Sequence, residues 1–393
     1  MNRNRRQNFW GLSVLILIFL SGGIQMIDLN SNAHASSGGT PAQNGWRLLE
    51  PVTYENISIF PLVSAQGADT SAFATLDEAL ASGDVVVTEQ GSAIHRTRDG
   101  SGQPPIATGA QVNQLVLINR GKKPLLLLAG EVVSGGKQDR IIGKDRIVPI
   151  GAEPLPLDVF CVERGRWTGG SAKFASAMMM AHPTVREKAA VDEDQARVWA
   201  AVRGQASMSS NLEVEMNGRN TSVEAAAAAP PISARSVDSV VASAAPTESY
   251  QKIYQSTQVS GSVENFAEQV QKRFERAAIG LKGERVVGVV VAYGGEVAWS
   301  DIFASSQLFE AYWPKLLRSY VVEALTRHAT RETVSLTDAR DFLRPASGRT
   351  REETEPGVYR WRERTEGKAA EIELEALDPK PLTLHWLKVL RLS

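Results

Sequence analysis

The sequence predicts an α+β protein. Its strand-rich N-terminal half, with hairpins and a β-sandwich-like sheet, is expected to pack with a C-terminal unit of helix, hairpin, long helix and strands. Three observations indicate this class: short β-branched runs between residues 46 and 167, an amphipathic helical pattern at 263–279, and an apolar helical stripe from Leu308 to Leu325.

The first half alternates short apolar runs with turn residues. A run of four leucines at 125–128 is typical of a strand that is covered on both faces, and the loop 120–123 contains a glycine that favours a hairpin. A short helix is predicted at 76–81. Strands are predicted at 57–60, 84–88, 114–119, 124–129, 141–149 and 155–162.

The middle of the chain changes character. Alanine, methionine and valine recur between residues 171 and 208 at spacings that favour helices, with a break at Pro183. Residues 209–249 are rich in serine, alanine and proline and hold few large apolar side chains. Ordering such a segment costs more entropy than burial returns, so it is predicted to be a disordered linker.

The last third is again structured. Gly294-Gly295 predicts a two-residue hairpin turn, and Pro314 predicts a kink in the long helix. Strands are predicted at 358–365, 370–377 and 382–392. The glutamates at 352–353 and those alternating at Glu371, Glu373 and Glu375 are predicted to lie on exposed strand faces.

The N-terminus has the three parts of a bacterial-type export signal. Basic residues precede an apolar stretch at 9–20, and Ala33-His34-Ala35 is a cleavage signal. The sequence therefore predicts a signal peptide at 1–35 and a periplasmic or extracellular protein, the alternative being an uncleaved membrane anchor. A flexible stretch at 36–45 would then precede one α+β domain in two segments, 46–208 and 250–393.

The composition narrows the possible partners and cofactors. The formal net charge of −1 gives no drive toward nucleic acid, and a membrane contact is expected only through an uncleaved N-terminus. No zinc, calcium or nucleotide motif occurs, so no metal and no cofactor is predicted. The single cysteine, Cys161, alternates with Val159 and is predicted to be a small core side chain.

Two polar loops interrupt the apolar strands. The first, 129–140, contains a glycine pair that lets the backbone turn its N–H groups toward one point, and Lys137 and Arg140 would add positive charge there. Gln138 could donate and accept hydrogen bonds. The second, 161–170, carries Glu163, Arg166 and Trp167, an aromatic ring that could stack on a base or sugar. Solvated turns and internal ion pairs are the simpler interpretation of both loops.

Taken together, these motifs resemble a known family. LVLINRGKKPLLLLAGEVVSGGKQDR, followed by VPIG and FCVERGRW, is similar to an uncharacterised domain family associated with ADP-ribosylglycohydrolases and with rhodanese/phosphatase-superfamily proteins, and 286–325 fits its later part. The resemblance implies a context of ADP-ribose or NAD-derived metabolites and no established activity. It implies a shared site made of Glu131, Gly136, Lys137, Gln138, Arg140, Glu163, Arg166 and Trp167.

The leading hypothesis is a loop site that binds an anionic small molecule, such as an ADP-ribose, NAD-derived or phosphosugar-like compound. Gly136, Lys137, Gln138, Arg140, Arg166 and Trp167 would bind it. The first alternative is a structural or interaction protein of the cell envelope without a ligand. The second is a hydrolase in which Glu131 or Glu163 acts as general acid or base.

Overall fold

The structure is a computed structural model that describes residues 45–89, 114–136, 138–162, 173–202, 250, 257–327, 330 and 332–391. The predicted signal peptide and the predicted linker lie outside these residues. The described residues belong to one compact unit. They contain three β-assemblies: a nine-stranded sheet, a closed barrel and a small three-stranded sheet.

The nine-stranded antiparallel sheet joins both ends of the chain. Its order is β1-β3-β13-β14-β18-β17-β16-β15, and β2 pairs with β3. The members are β1 (Trp46–Leu48), β2 (Val52–Tyr54), β3 (Ile57–Ser64), β13 (Arg285–Tyr293), β14 (Glu296–Phe303), β15 (Arg349–Glu355), β16 (Tyr359–Glu366), β17 (Ala369–Ala376) and β18 (Leu382–Leu390). The predicted Gly294-Gly295 turn joins β13 to β14, and both glycines have positive φ.

The barrel closes in the order β11-β6-β5-β12-β8-β9. It consists of β5 (Val85–Glu89), β6 (Gln114–Asn119), β8 (Glu131–Gly135), β9 (Arg140–Ile142), β11 (Leu155–Cys161) and β12 (Lys173–Met180). The short strands β4 (Ala74–Thr75), β7 (Leu125–Leu127) and β10 (Arg146–Val148) form the small sheet.

Five helices complete the labelled elements: α1 (Leu76–Ser82), α2 (Pro183–Ala190), α3 (Thr257–Ala278), α4 (Ser306–Thr326) and α5 (Leu336–Phe342). A further helical stretch covers residues 195–202. The largest apolar cluster combines α3 and α4 with one face of the large sheet, and includes Leu126 and Leu128 from beside the barrel. Among the described helices, none combines the length and the apolar character needed to cross a bilayer.

The structure confirms the α+β class and the strand-rich first half, and it corrects several details. Six strands between residues 85 and 180 close into a barrel instead of a sandwich-like sheet, and β6 and β7 lie in different sheets and do not pair as the predicted hairpin. Residues 173–180, predicted as helical, form β12, because pairing with β5 and β8 outweighs the helical preference of alanine and methionine. The predicted strand 141–149 is two strands, β9 and β10, separated by a turn that begins at Gly143.

The glutamates of β17 also differ from the prediction. Glu371, Glu373 and Glu375 are buried, because arginines of the neighbouring strand β16 cover and pair with them. Long arginine side chains can cover a sheet face in this way, so period-two alternation does not by itself show exposure. Glu352 and Glu353 are exposed on the edge strand β15, as predicted.

Candidate functional site

Several barrel strands begin or end together at one end of the barrel, which we call the barrel mouth. β5 ends there at Glu89, β8 ends at Gly135 and β11 ends at Cys161. The register places these termini side by side: Arg140 is the Cα partner of Cys161 and of Val133, and Lys173 pairs with Thr88. Of the polar loop predicted at 129–140, only the part after Gly135 lies at the mouth, and it enters β9 beside the strand end at Cys161, where the loop predicted at 161–170 begins.

The inner face of the barrel is apolar in the middle and polar at the mouth. Val87, Ile142 and Val159 belong to the interior cluster. Since side chains alternate along a strand, Glu89, Arg140 and Cys161 continue the same inner face one step nearer the mouth. Even eight-stranded barrels are filled by side chains or hold one small ligand, so a six-stranded barrel leaves room for a ligand only at its mouth.

Gln138 and Arg140 form the polar centre of the mouth. Both are buried, at 0% and 1% exposure. Arg140 Nη1 donates to Gln138 Oε1 at 3.4 Å and to the carbonyl oxygen of Asp139 at 3.2 Å. Gln138 Nε2 has no acceptor among the described residues. Amide and guanidinium N–H groups therefore lie together, which suits an anion.

Gly136 has no room for a side chain. Its φ is +51°, and a Cβ built on it would lie 2.6 Å from Phe174 Cζ and 2.7 Å from Glu89 Oε1. The neighbouring Gly135 approaches the backbone of β12 just as closely, since its Cβ would lie 2.5 Å from the Lys173 carbonyl oxygen. The glycine pair thus lets the turn rest on Phe174 and brings the Glu89 carboxylate against it.

Cys161 lies at the same level of the barrel as Arg140, its register partner. Burial raises the pKa of the Cys161 thiol, the charge of Arg140 lowers it and the charge of Glu89 raises it, with a net upward shift. Both charges are therefore close to the same thiol, which stays protonated at neutral pH. Gln195 fixes this strand end from outside: its Oε1 accepts from the Cys161 backbone N–H at 2.8 Å, and its Nε2 donates to the Cys161 carbonyl at 2.9 Å.

Glu131 lies at the other end of β8, about 13 Å along the strand from Gly135. It is buried, and both its oxygens are bonded: Lys315 Nζ lies 2.6 Å from Oε1, and the Leu128 N–H donates to Oε2 at 2.8 Å. Lys315 also pairs with Asp77 at 2.6 Å. Burial raises the pKa of Glu131, and Lys315 opposes this only in part. The structure therefore does not group Glu131 with the turn 136–140.

A second buried network holds the backbone at Ala129, just before Glu131. His385 lies between two carboxylates, with Nδ1 2.5 Å from Asp145 and Nε2 3.0 Å from Asp301. Asp145 accepts from the Ala129 N–H at 2.7 Å, and Arg186 joins Asp301 to the Ala129 carbonyl. These groups are nearly or fully inaccessible to solvent, and together they hold the backbone around Ala129 in place.

The remaining predicted site residues, Lys137, Glu163, Arg166 and Trp167, lie outside the described part of the chain. Cys161 is a buried side chain of the barrel, as predicted. Within the ranges that the structure describes, no three histidine, cysteine, aspartate or glutamate side chains are arranged to hold a metal ion.

The sequence that contains these motifs matches one protein-family model. The model of the ARG and Rhodanese-Phosphatase-superfamily-associated Protein domain, ARPP-1, matches residues 45–387. The chain belongs to this family. The match confirms the predicted resemblance and spans both the barrel and the large sheet of this ARPP-1 domain. Neither a curated protein nor a solved structure shows a significant match.

Sequence reasoning missed three charged residues of this ARPP-1 domain. Glu89 could have been found, because it continues the inward alternation of Val85 and Val87. Asp77 and Lys315 gave no such signal. They are 238 residues apart, and their contact with each other and with Glu131 depends on how α1 and α4 pack on the barrel.

Proposed function

We propose that the protein binds a small anionic molecule at the barrel mouth. Arg140 and Gln138 would hold the anion, the backbone at Gly136 would border it, and Lys137, Arg166 and Trp167 would complete the site. The observation that carries the proposal is the orphan Nε2 of Gln138 beside the buried guanidinium. A buried donor left without an acceptor costs about 1–3 kcal/mol, and an anionic ligand would supply that acceptor.

Two further features support a ligand at this place. The barrel interior is filled with apolar side chains, so the polar layer lies at the edge and not in the centre of the core. The charged groups also come from several strands, Glu89 on β5 and Arg140 on β9, which is how binding sites on barrels are commonly built. Phosphate and carboxylate are the groups that Arg recognises best.

The two N–H donors and the family resemblance support a phosphate-bearing ligand. A phosphate-bearing metabolite such as ADP-ribose, an NAD-derived compound or a phosphosugar would meet both donors. The test is a thermal-shift series with ADP-ribose, NAD and sugar phosphates on the full mature chain. A rise in melting temperature with at least one of them supports the proposal, and a folded protein that none of them stabilises removes it.

A structural role in the cell envelope, without a ligand, is the second candidate. The fully bonded Glu131 and the enclosed His385 favour it, because such pairs lock the strands to each other. The two candidates differ at Gln138. If the site has no ligand, Gln138→Met removes an unsatisfied amide and leaves the thermal shifts with the test ligands as they are in the native protein. If the site binds an anion, the same substitution abolishes the thermal shift. The hydrolase alternative, with Glu131 or Glu163 as general acid or base, stays a prediction.

We also propose that the protein is exported, on the basis of the basic, apolar and Ala33-His34-Ala35 parts of its N-terminus. The intact mass of the protein purified from its native compartment tests this. A mature chain that begins at Ser36 is expected. A cytoplasmic protein that keeps Met1 would contradict export, and a membrane-bound one would support the anchored alternative.

A further inference from the structure

Glu89 and Arg140 enter the barrel mouth from opposite sides. In the closed strand order, β5 and β9 are separated by two strands in either direction. Both residues occupy the inner face, since they continue the alternation of Val87 and Ile142. From the usual strand spacing and tilt, such a barrel is roughly 12 Å across at its backbone. Both side chains therefore reach inward at the same end of the barrel.

The carboxylate of Glu89 is directed toward the turn that carries Gln138 and Arg140. Its Oε1 lies only 2.7 Å from where a Cβ of Gly136 would stand. Glu89 is also half-buried, in contrast to the fully buried Gln138 and Arg140, so it lies nearer to solvent than the two donors. A ligand bound at Gln138 and Arg140 would therefore lie close to the Glu89 carboxylate.

A hydrogen-bond acceptor beside an anion site determines which ligand groups can bind there. A carboxylate repels a bare phosphate, but it accepts hydrogen bonds from hydroxyl groups, and vicinal hydroxyls can use both of its oxygens. A ligand amine would also suit a carboxylate, but the Arg140 charge nearby would repel it. A ligand with hydroxyl groups next to a phosphate can place the hydroxyls on Glu89 and the phosphate on Arg140 and Gln138.

We propose that Glu89 determines the specificity of this site by selecting phosphorylated sugars over simple anions, with the sugar hydroxyls on Glu89 and the phosphate on Arg140 and Gln138. This inference rests on the proposed function. It assigns a role to Glu89, a residue that the sequence motifs do not include.

The test compares three probes, ribose 5-phosphate, phosphoethanolamine and inorganic phosphate, by calorimetric titration of the full mature chain and of Glu89→Gln. The native protein is expected to bind ribose 5-phosphate at least about tenfold more tightly than phosphate. In Glu89→Gln this preference should fall to within about twofold, while phosphate binds as well as before or better, because a repulsive charge is gone. Glu310→Gln, on the exposed face of α4, is the matched control and should behave as the native protein.

The outcomes separate the inference from the proposed function. If the native protein binds none of the probes, this inference fails, and the thermal-shift series with ADP-ribose and NAD decides separately whether the proposed function stands. If phosphate and ribose 5-phosphate bind equally, or if Glu89→Gln keeps the preference, the site stands and the role of Glu89 is wrong. Tighter binding of phosphoethanolamine, or loss of every ligand in a folded Glu89→Gln, also overturns that role.

Discussion

Gln138 accepts a hydrogen bond from Arg140 Nη1 through its Oε1, at 3.4 Å, while its Nε2 has no acceptor among the described residues. The pair lies at the barrel mouth, where neighbouring strands end, and both side chains are buried. Native proteins rarely leave a buried amide half satisfied unless something outside the chain completes it. This relationship makes the barrel mouth a place to look for a ligand.

Gly136→Ala tests the packing of the turn. The new methyl group would meet Phe174 and Glu89 at under 3 Å, and the positive φ adds strain. Gly151→Ala is the matched control, since Gly151 has φ +63° and no atom within 4 Å of its Cβ position. We expect Gly136→Ala to lose about 1–3 kcal/mol more free energy of unfolding than the control, in urea titrations. Equal losses would show that the turn is loosely packed.

Lys315→Met tests whether Lys315 neutralises the two carboxylates beside it. Removing the ammonium leaves the buried Glu131 facing the half-buried Asp77 without a counter-charge, which should cost about 3–5 kcal/mol of unfolding free energy. The double variant Lys315→Met with Glu131→Gln removes one of those charges and should recover part of the loss. If the two substitutions are simply additive in a double-mutant cycle, the residues do not act as a unit.

His385 predicts a loss of stability at alkaline pH. Burial opposes the charged imidazole, but Asp145 and Asp301 outweigh burial and raise the pKa of His385. The imidazolium therefore stabilises the fold fully below the ordinary histidine pKa, about 6.5, and this contribution fades as pH rises through the raised value. His385→Gln should be less stable than the native protein at pH 6 and lack this alkaline decline. An unchanged pH profile in the variant would contradict the assignment.

We expect His182 to cause a loss of stability at acidic pH. Burial lowers its pKa from 6.5 to about 4, although Glu323 favours the charged form. The unfolded chain then binds a proton that the fold does not, so the unfolding free energy should fall by about 3 kcal/mol between pH 6.5 and pH 4. Denaturant unfolding at a series of pH values measures this decline. His182→Asn should lack that part of it, and a variant with the same acid profile would assign the decline to other groups.

Local patterns predicted the elements whose own residues determine them. The amphipathic run near Phe266, the Gly294-Gly295 turn and the stripe ending at Leu325 all form as expected. The barrel was not predictable in this way, because closure depends on pairings between strands such as β5 and β12, which are far apart in sequence. Residues 173–180 show the same limit: their composition favours a helix, and their partners make them a strand.

For the candidate site too, local sequence signals predicted some residues, and tertiary packing determines the others. The glycine pair and Arg140 could be selected from sequence, since a polar turn between apolar strands is a local signal. Glu131 was predicted to lie with them because it is close to them in sequence. The five-residue strand β8 instead places it at the other end of the barrel. Its true partner, Lys315, comes from a helix 184 residues later and depends on tertiary packing alone.

The most direct test of the anion site is a titration of the native chain and of Gln138→Glu with ADP-ribose at low and high salt. The glutamate keeps the size and the bond to Arg140 but replaces the orphan donor with a negative oxygen. Lys122→Gln, on the turn at the opposite end of the barrel, controls for general loss of positive charge. We predict that the native protein and Lys122→Gln bind, more weakly at high salt, and that folded Gln138→Glu does not. Equal binding by Gln138→Glu and the native protein would contradict the proposed site.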